Sequence, residues 1–219
     1  MDNKALAAMI DHTNLKPTAS REDIEKLCAE AREYGFASVC VNPCHVRTCA
    51  ALLRGSAVAV CTVVGFPLGQ NTVETKLFEA KNAIDNGASE IDYVLNISKL
   101  LDGELSYIRR EMEMLTELCH SRGAKCKVIL ETCYLAPIHI EAVCHTAARV
   151  GIDFVKTSTG FGPAGARAED VALMKAECGP AVKVKAAGGI RTRKAALELI
   201  AAGADRLGCS AGVQILREE

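Results

Sequence analysis

The chain lacks several features that would each have assigned it a class. Its eleven cysteines contain no C-x-x-C pair, and spacings such as Cys40 to Cys44 to Cys49 or Cys126 to Cys133 do not match the paired ligands of a structural zinc site. An odd number of thiols without that spacing reads as small buried hydrophobes in a reducing compartment, so neither metal nor cofactor is expected. There is no basic run with interleaved aromatics, and 26 basic against 27 acidic residues leave a net charge of -1, which makes nucleic acid an unexpected partner. The longest largely apolar run, Ala57 to Val64, falls far short of the roughly 18 residues a membrane span needs. Met1 to His12 is an alanine-rich stretch carrying Asp2, Lys4 and Asp11, without the basic start, apolar middle and cleavage site of a signal peptide. A cytoplasmic protein without a membrane partner is expected, and Asn96-Ile97-Ser98 therefore has no meaning as a glycosylation sequon.

What is present is regular. With 219 residues, 49% of them hydrophobic, the chain suffices for one sizeable core and is too short for two ordinary domains, so a single domain over residues 1–219 is expected. Gly35, Gly55, Gly87, Gly123, Gly151, Gly179 and Gly203 each follow a helix-like segment and precede a strand-like one, where a left-handed residue ends a helix. The strands expected after them are Ser38 to Val41, Val58 to Val63, Glu90 to Leu95, Lys127 to Leu130, Asp153 to Lys156, Val182 to Lys185 and Arg206 to Cys209, with Met9 to His12 before them. Helix starts are signalled by Ser20 with Asp23, Asn71 with Glu74, and Thr192; Leu105 to Cys119, Ile138 to Val150 and a short segment from Ala211 complete the alternation. Eight strand-helix units predict a closed (β/α)8 barrel, a TIM barrel. Seven or eight units could also wind an open sheet, but the glycine-rich dinucleotide fingerprint that would favour one is absent.

The stretch Phe154-Val155-Lys156-Thr157-Ser158-Thr159-Gly160 stands out, because its apolar strand ends on a lysine. A cation is costly to bury there, which favours the neutral amine, the form that attacks a carbonyl. In Val182-Lys183-Val184-Lys185, period-two alternation sends the valines to the helix layer and both lysines to the barrel axis. Glu90 and Asp92 share one face of their strand, as do Lys127, Ile129 and Glu131 of theirs. Inward charges must be paired, and the plain alternative is a structural ion network of Lys127, Lys183, Lys185, Glu90 and Asp92. The catalytic reading rests on Lys156, Lys185 and Asp92, which fall at the carboxyl ends of strands. Loops with Gly188, Gly189 and Arg191, and with Ser210, carry backbone amides suited to an anion. His12 is weighed as a substrate contact against a packing histidine, and Cys40 as a thiol facing the site against a buried inert one.

VKTSTGFG around Lys156, KAAGGIRT around Lys185, EIDYVLN around Asp92, the early IDHTNL and SVCVNP, and the closing RLGCSAG resemble the deoxyribose-phosphate aldolase family of class I aldolases. The likeness runs in order over nearly the whole chain. It implies reversible, metal-free cleavage of 2-deoxy-D-ribose 5-phosphate into acetaldehyde and D-glyceraldehyde 3-phosphate. It also implies Lys156 as the Schiff-base lysine, Asp92 and Lys185 as proton donors and acceptors with Asp11 nearby, and Gly160, Gly188, Gly189, Arg191 and Ser210 around the phosphate. Ala186 stands where some members have Pro and Phe161 where some carry Lys, and the closing Arg217-Glu218-Glu219 lacks the tyrosine extension of some relatives. A phosphorylated sugar and aldehydes are thus the expected small-molecule partners, with a homodimer or homotetramer left open. A Schiff-base aldolase for another sugar phosphate and a non-catalytic phosphosugar-binding barrel remain as alternatives.

Overall fold

A computed structural model describes residues 1–218; Glu219, the last residue of that closing tripeptide, lies outside the described residues. Eight parallel strands, β1 Ile10–Asn14, β2 Ser38–Val41, β3 Ala59–Val64, β4 Glu90–Val94, β5 Lys125–Ile129, β6 Phe154–Lys156, β7 Lys183–Ala187 and β8 Arg206–Cys209, pair in sequence order and close on themselves. The connecting helices are α1 Asn3–Ala7, α2 Arg21–Tyr34, α3 Val46–Leu52, α4 Val73–Asp85, α5 Ile97–Leu101, α6 Leu105–Ser121, α7 Pro137–Val150, α8 Ala168–Glu177, α9 Arg193–Ala201 and α10 Gly212–Arg217. The expected (β/α)8 barrel is therefore the architecture. None of the helices is long and apolar enough to cross a membrane.

Local signals explain most of the joints. All seven helix-ending glycines have positive φ, as a left-handed stop requires. Ser20 closes a reciprocal capping box with Asp23: its hydroxyl accepts from Asp23 N at 3.1 Å, and the Asp23 carboxylate accepts from Ser20 N at 2.9 Å. Ser20→Ala is expected to cost about 1 kcal/mol in chemical denaturation, since the Asp23 amide then loses its partner. A change below ~0.3 kcal/mol would show that water caps this helix equally well.

Several boundaries differ from expectation. The first strand begins at Ile10 rather than Met9, because the alanine-rich start forms α1, capped by Asp2. The third, sixth and seventh strands each begin one residue later, and the fifth begins earlier, at Lys125, which pairs with Glu90 across the β4–β5 ladder. Cross-strand hydrogen bonding decides a strand's ends, and hydropathy does not report it. Helix α4 is capped by the Thr72 hydroxyl, which accepts from Thr75 N, and not by Asn71. Either residue type can cap; the burial of Val73, Lys76, Ala80 and Ala83 on one face selects Thr72.

Most of the hydrophobic core lies between barrel and helices, formed by outward strand residues such as Val39, Ile91, Val128, Val155, Val184 and Leu207. That leaves the inward face free for polar chemistry. The β6–β7 register sets the Cα atoms of Lys156 and Lys185 opposite each other, and the β4–β5 register does the same for Asp92 and Lys127.

Candidate active site

Four cations and three carboxylates meet inside the barrel. Asp92 Oδ2 accepts from Lys156 Nζ at 2.8 Å and from Lys185 Nζ at 2.7 Å, while Asp92 Oδ1 accepts from Lys127 Nζ at 2.8 Å and from the Cys61 thiol at 3.1 Å. Asp11 bridges Lys185, at 2.5 Å, and Arg206, also at 2.5 Å. Glu90 takes Lys127 at 2.5 Å and Arg206 at 3.4 Å. Asp11, Asp92, Lys127 and Lys185 are completely buried, so a missing partner would leave a bare charge in a medium that solvates it poorly.

The electrostatics follow from this packing. Burial alone would raise the Asp92 carboxyl, but the ammoniums of Lys127, Lys156 and Lys185 outweigh it and hold the group well below the ordinary carboxylate range. Burial likewise works against charge on Lys185, and the Asp11 and Asp92 carboxylates reverse it, raising that lysine above its usual value. Asp11 is lowered by Lys185 and Arg206 against the same burial cost. Lys127, Lys156, Lys185 and Arg206 share Asp11, Glu90 and Asp92, and Lys125 reaches Glu90 from the barrel's rim at 3.6 Å, so cations outnumber carboxylates. Lys156 touches a single carboxylate oxygen and shares it with Lys185.

Above the network opens a cavity of about 620 Å³, within the range of small-molecule sites. Its wall includes Lys156, Gly160, Gly188, Gly189, Arg191 and Ser210, whereas Asp92, Lys185 and Asp11 lie beneath its floor. Gly188 and Gly189 have φ of 88° and 78°, left-handed conformations that let their loop fold close to the β6 loop. Phe161 is half exposed and packs edge-on against Phe66, with ring centroids 5.3 Å apart. Ala186 is buried.

Some sequence expectations are displaced. Lys183 does not pair with a carboxylate: it is exposed at the first residue of β7, its Nζ 5.9 Å from the Phe154 ring centroid, and among the described residues it forms no ion pair. The amino end of the barrel is open to water there, which solvates the ammonium. His12 lines the cavity and is also packed: its Nε2 meets Glu30 Oε2 at 2.8 Å and its ring packs on Phe36. Cys40 is fully buried; its Sγ, the Cys61 Sγ and an Asp92 oxygen lie within 4.8 Å of one another. That trio does not fit a metal ion, because three ammoniums already hold the carboxylate and the Cys61 thiol donates to it.

Arg206 was not singled out from the sequence, although it shares its strand face with Gly208 and alternates with the outward Leu207. Glu131, placed on an inner face, proves to hold a loop: its carboxylate accepts from Thr159 N at 3.1 Å and from the Thr159 hydroxyl.

Comparison with known proteins agrees with this architecture. A family model described as DeoC/LacD family aldolase matches residues 5–219. The deoxyribose-phosphate aldolase of Bacteroides thetaiotaomicron is 56% identical over 211 residues, covering 96% of this chain and 89% of its own length. That of Clostridium kluyveri is 52% identical over 219 residues, with both chains covered in full. Among solved structures, the deoxyribose phosphate aldolase of Aeropyrum pernix, reported as a unique tetrameric structure, superposes with a TM-score of 0.92 at 36% identity, over 98% of this chain and 91% of that one. Matched by the family model over residues 5–219 and sharing more than half its residues with such relatives, the chain belongs to the DeoC/LacD family of aldolases.

Proposed function

We propose that this chain is a class I aldolase that reversibly cleaves 2-deoxy-D-ribose 5-phosphate into acetaldehyde and D-glyceraldehyde 3-phosphate. The observation that carries the reading is that Lys156 and Lys185 donate to the same oxygen of Asp92 while Lys156 alone of the pair opens into the cavity. The names of the relatives above support the choice of substrate.

In this reading the neutral Lys156 amine attacks C1 of the open-chain sugar, and loss of water leaves an iminium. A base takes the proton of the C3 hydroxyl, the C2–C3 bond breaks, and its electron pair flows into the iminium to form an enamine on Lys156. D-Glyceraldehyde 3-phosphate leaves, a proton returns to C2, and water releases acetaldehyde. Asp92, in contact with the reacting nitrogen, and Lys185 behind it exchange the protons, and Asp11 holds Lys185. The phosphate lies against Gly160, Gly188, Gly189, Arg191 and Ser210, where backbone amides and a guanidinium supply donors.

The second product sets the test. Cleavage of 2-deoxyribose 5-phosphate, followed by release of acetaldehyde, is expected to exceed cleavage of fructose 1-phosphate or fructose 1,6-bisphosphate by at least ~100-fold, because a ketose places an extra carbon at the iminium. Equal or faster turnover of the fructose phosphates would replace this reading with the other Schiff-base aldolase. A homodimer or homotetramer and a cytoplasmic location, where thiols stay reduced, belong to the same reading.

A further inference from the structure

The β5 and β6 strands end near Lys156, yet their tails stay joined. Leu130 N donates to Lys156 O and Thr132 N to Thr157 O, both at 2.9 Å. Beyond this point a side chain replaces the backbone ladder. Glu131 Oε1 accepts from Thr159 N at 3.1 Å, Oε2 accepts from the Thr159 hydroxyl, and Thr159 Oγ1 in turn accepts from Phe161 N at 3.0 Å. Glu131 does so from left-handed backbone, φ 56° and ψ 63°, the only non-glycine residue with positive φ among the described residues. That conformation costs about 1 kcal/mol or more for an L residue, and it persists only where its surroundings hold it.

The residues it holds form a wall of the cavity. Thr159, Gly160 and Phe161 line it, and Gly162 closes on the strut so tightly that a Cβ there would stand 3.2 Å from the Glu131 carboxyl carbon. Farther along, Ala166 N donates to Gly188 O at 3.1 Å, and a Cβ on Gly165 would stand 2.2 Å from that oxygen. The β6 loop is thus wedged between Glu131 and the Gly188 loop, and releasing one end frees the other. Bonding to Thr159 also directs the Glu131 charge into hydrogen bonds, away from an anion in the cavity.

We propose that Glu131 is a positioning residue for the anionic end of the substrate, setting the preference for phosphorylated over unphosphorylated sugars without affecting imine formation at Lys156. The inference rests on the aldolase reading above. Its test compares kcat and KM for 2-deoxyribose 5-phosphate and for 2-deoxyribose, alongside borohydride trapping of acetaldehyde on the protein. Glu131→Gly keeps a residue that accepts the left-handed backbone and deletes the strut; the ratio of kcat/KM, phosphorylated over unphosphorylated, is expected to fall about 10-fold or more, chiefly through KM, with trapping unchanged. Glu131→Gln, whose amide can accept from Thr159 N and donate to Thr159 Oγ1, should restore most of the preference. Thr159→Val removes the hydroxyl link while keeping the shape and should lower the ratio as well, which decides the matter should the glycine variant fail to fold. An unchanged ratio in folded variants, or a parallel fall of ratio and trapping, would overturn the role of Glu131. Failure of the unaltered protein to cleave 2-deoxyribose 5-phosphate would instead overturn the aldolase reading on which it stands.

Discussion

Lys156→Ala is expected to abolish the adduct that borohydride fixes between acetaldehyde and the protein, and to lower the cleavage rate by at least ~10⁴-fold, as loss of a covalent nucleophile does elsewhere. The reason is positional. Lys127 and Lys185 are completely buried and held by carboxylates, so neither can present its nitrogen to a sugar in the cavity. Lys16 and Lys26 line the same cavity, but at its outer part, where both stand exposed to solvent. Peptide mass mapping of the reduced adduct should therefore place the added two-carbon unit on the segment containing Lys156 and nowhere else at stoichiometric yield. Full labelling of the alanine variant would mean that another amine performs the attack.

The second large effect is expected at Asp92. In Asp92→Asn, Lys127, Lys156 and Lys185 lose the carboxylate they share, and four cations are left with Asp11 and Glu90 alone. Whichever way the amide turns, its NH2 group faces an ammonium. Breaking one partner of a buried ion pair typically costs about 3–5 kcal/mol, and loss of a positioned proton-transfer group about 10²- to 10⁴-fold in rate. Thermal melting and kcat should both fall, and a variant with unaltered melting and turnover would show that the network neither stabilises the fold nor serves the reaction. A pH signature accompanies the effect. The Asp92 carboxyl is held below its unfolded value of about 3.9, so its contribution to stability is present above that pH and is lost as pH falls through the folded value. The asparagine variant lacks this component, and its stability should decline less steeply on acidification.

The closed barrel was legible because its signals are local and repeated. A glycine with positive φ after a helix, a capping box at Ser20 and short apolar strands each follow from one segment's own conformational preferences. Boundaries were less legible: β5 gains Lys125 because Glu90 stands opposite it, a fact of the neighbouring strand. Alternation correctly turned Lys185, Lys127 and Asp92 inward and set Lys183 on the same face, beside the Phe154 ring, but the carboxylate expected to pair with Lys183 is not there among the described residues, since a strand's face does not tell how near its residue lies to the open end of the barrel. Arg206 was missed for the related reason that an arginine at a strand start usually reaches water, and here it finds Asp11 and Glu90 instead.

By itself the sequence determined the number and order of the units, the faces of the inner strands, and the stretch around Lys156 that sets this chain among aldolases. Only the tertiary structure decided which charges meet, for strand register is fixed by closure of the whole ring. A slip of one residue would turn Lys185 out of the barrel. It also decided that Glu131 spans from one strand's end to the next strand's loop, a contact 28 residues apart in the chain that no local propensity encodes.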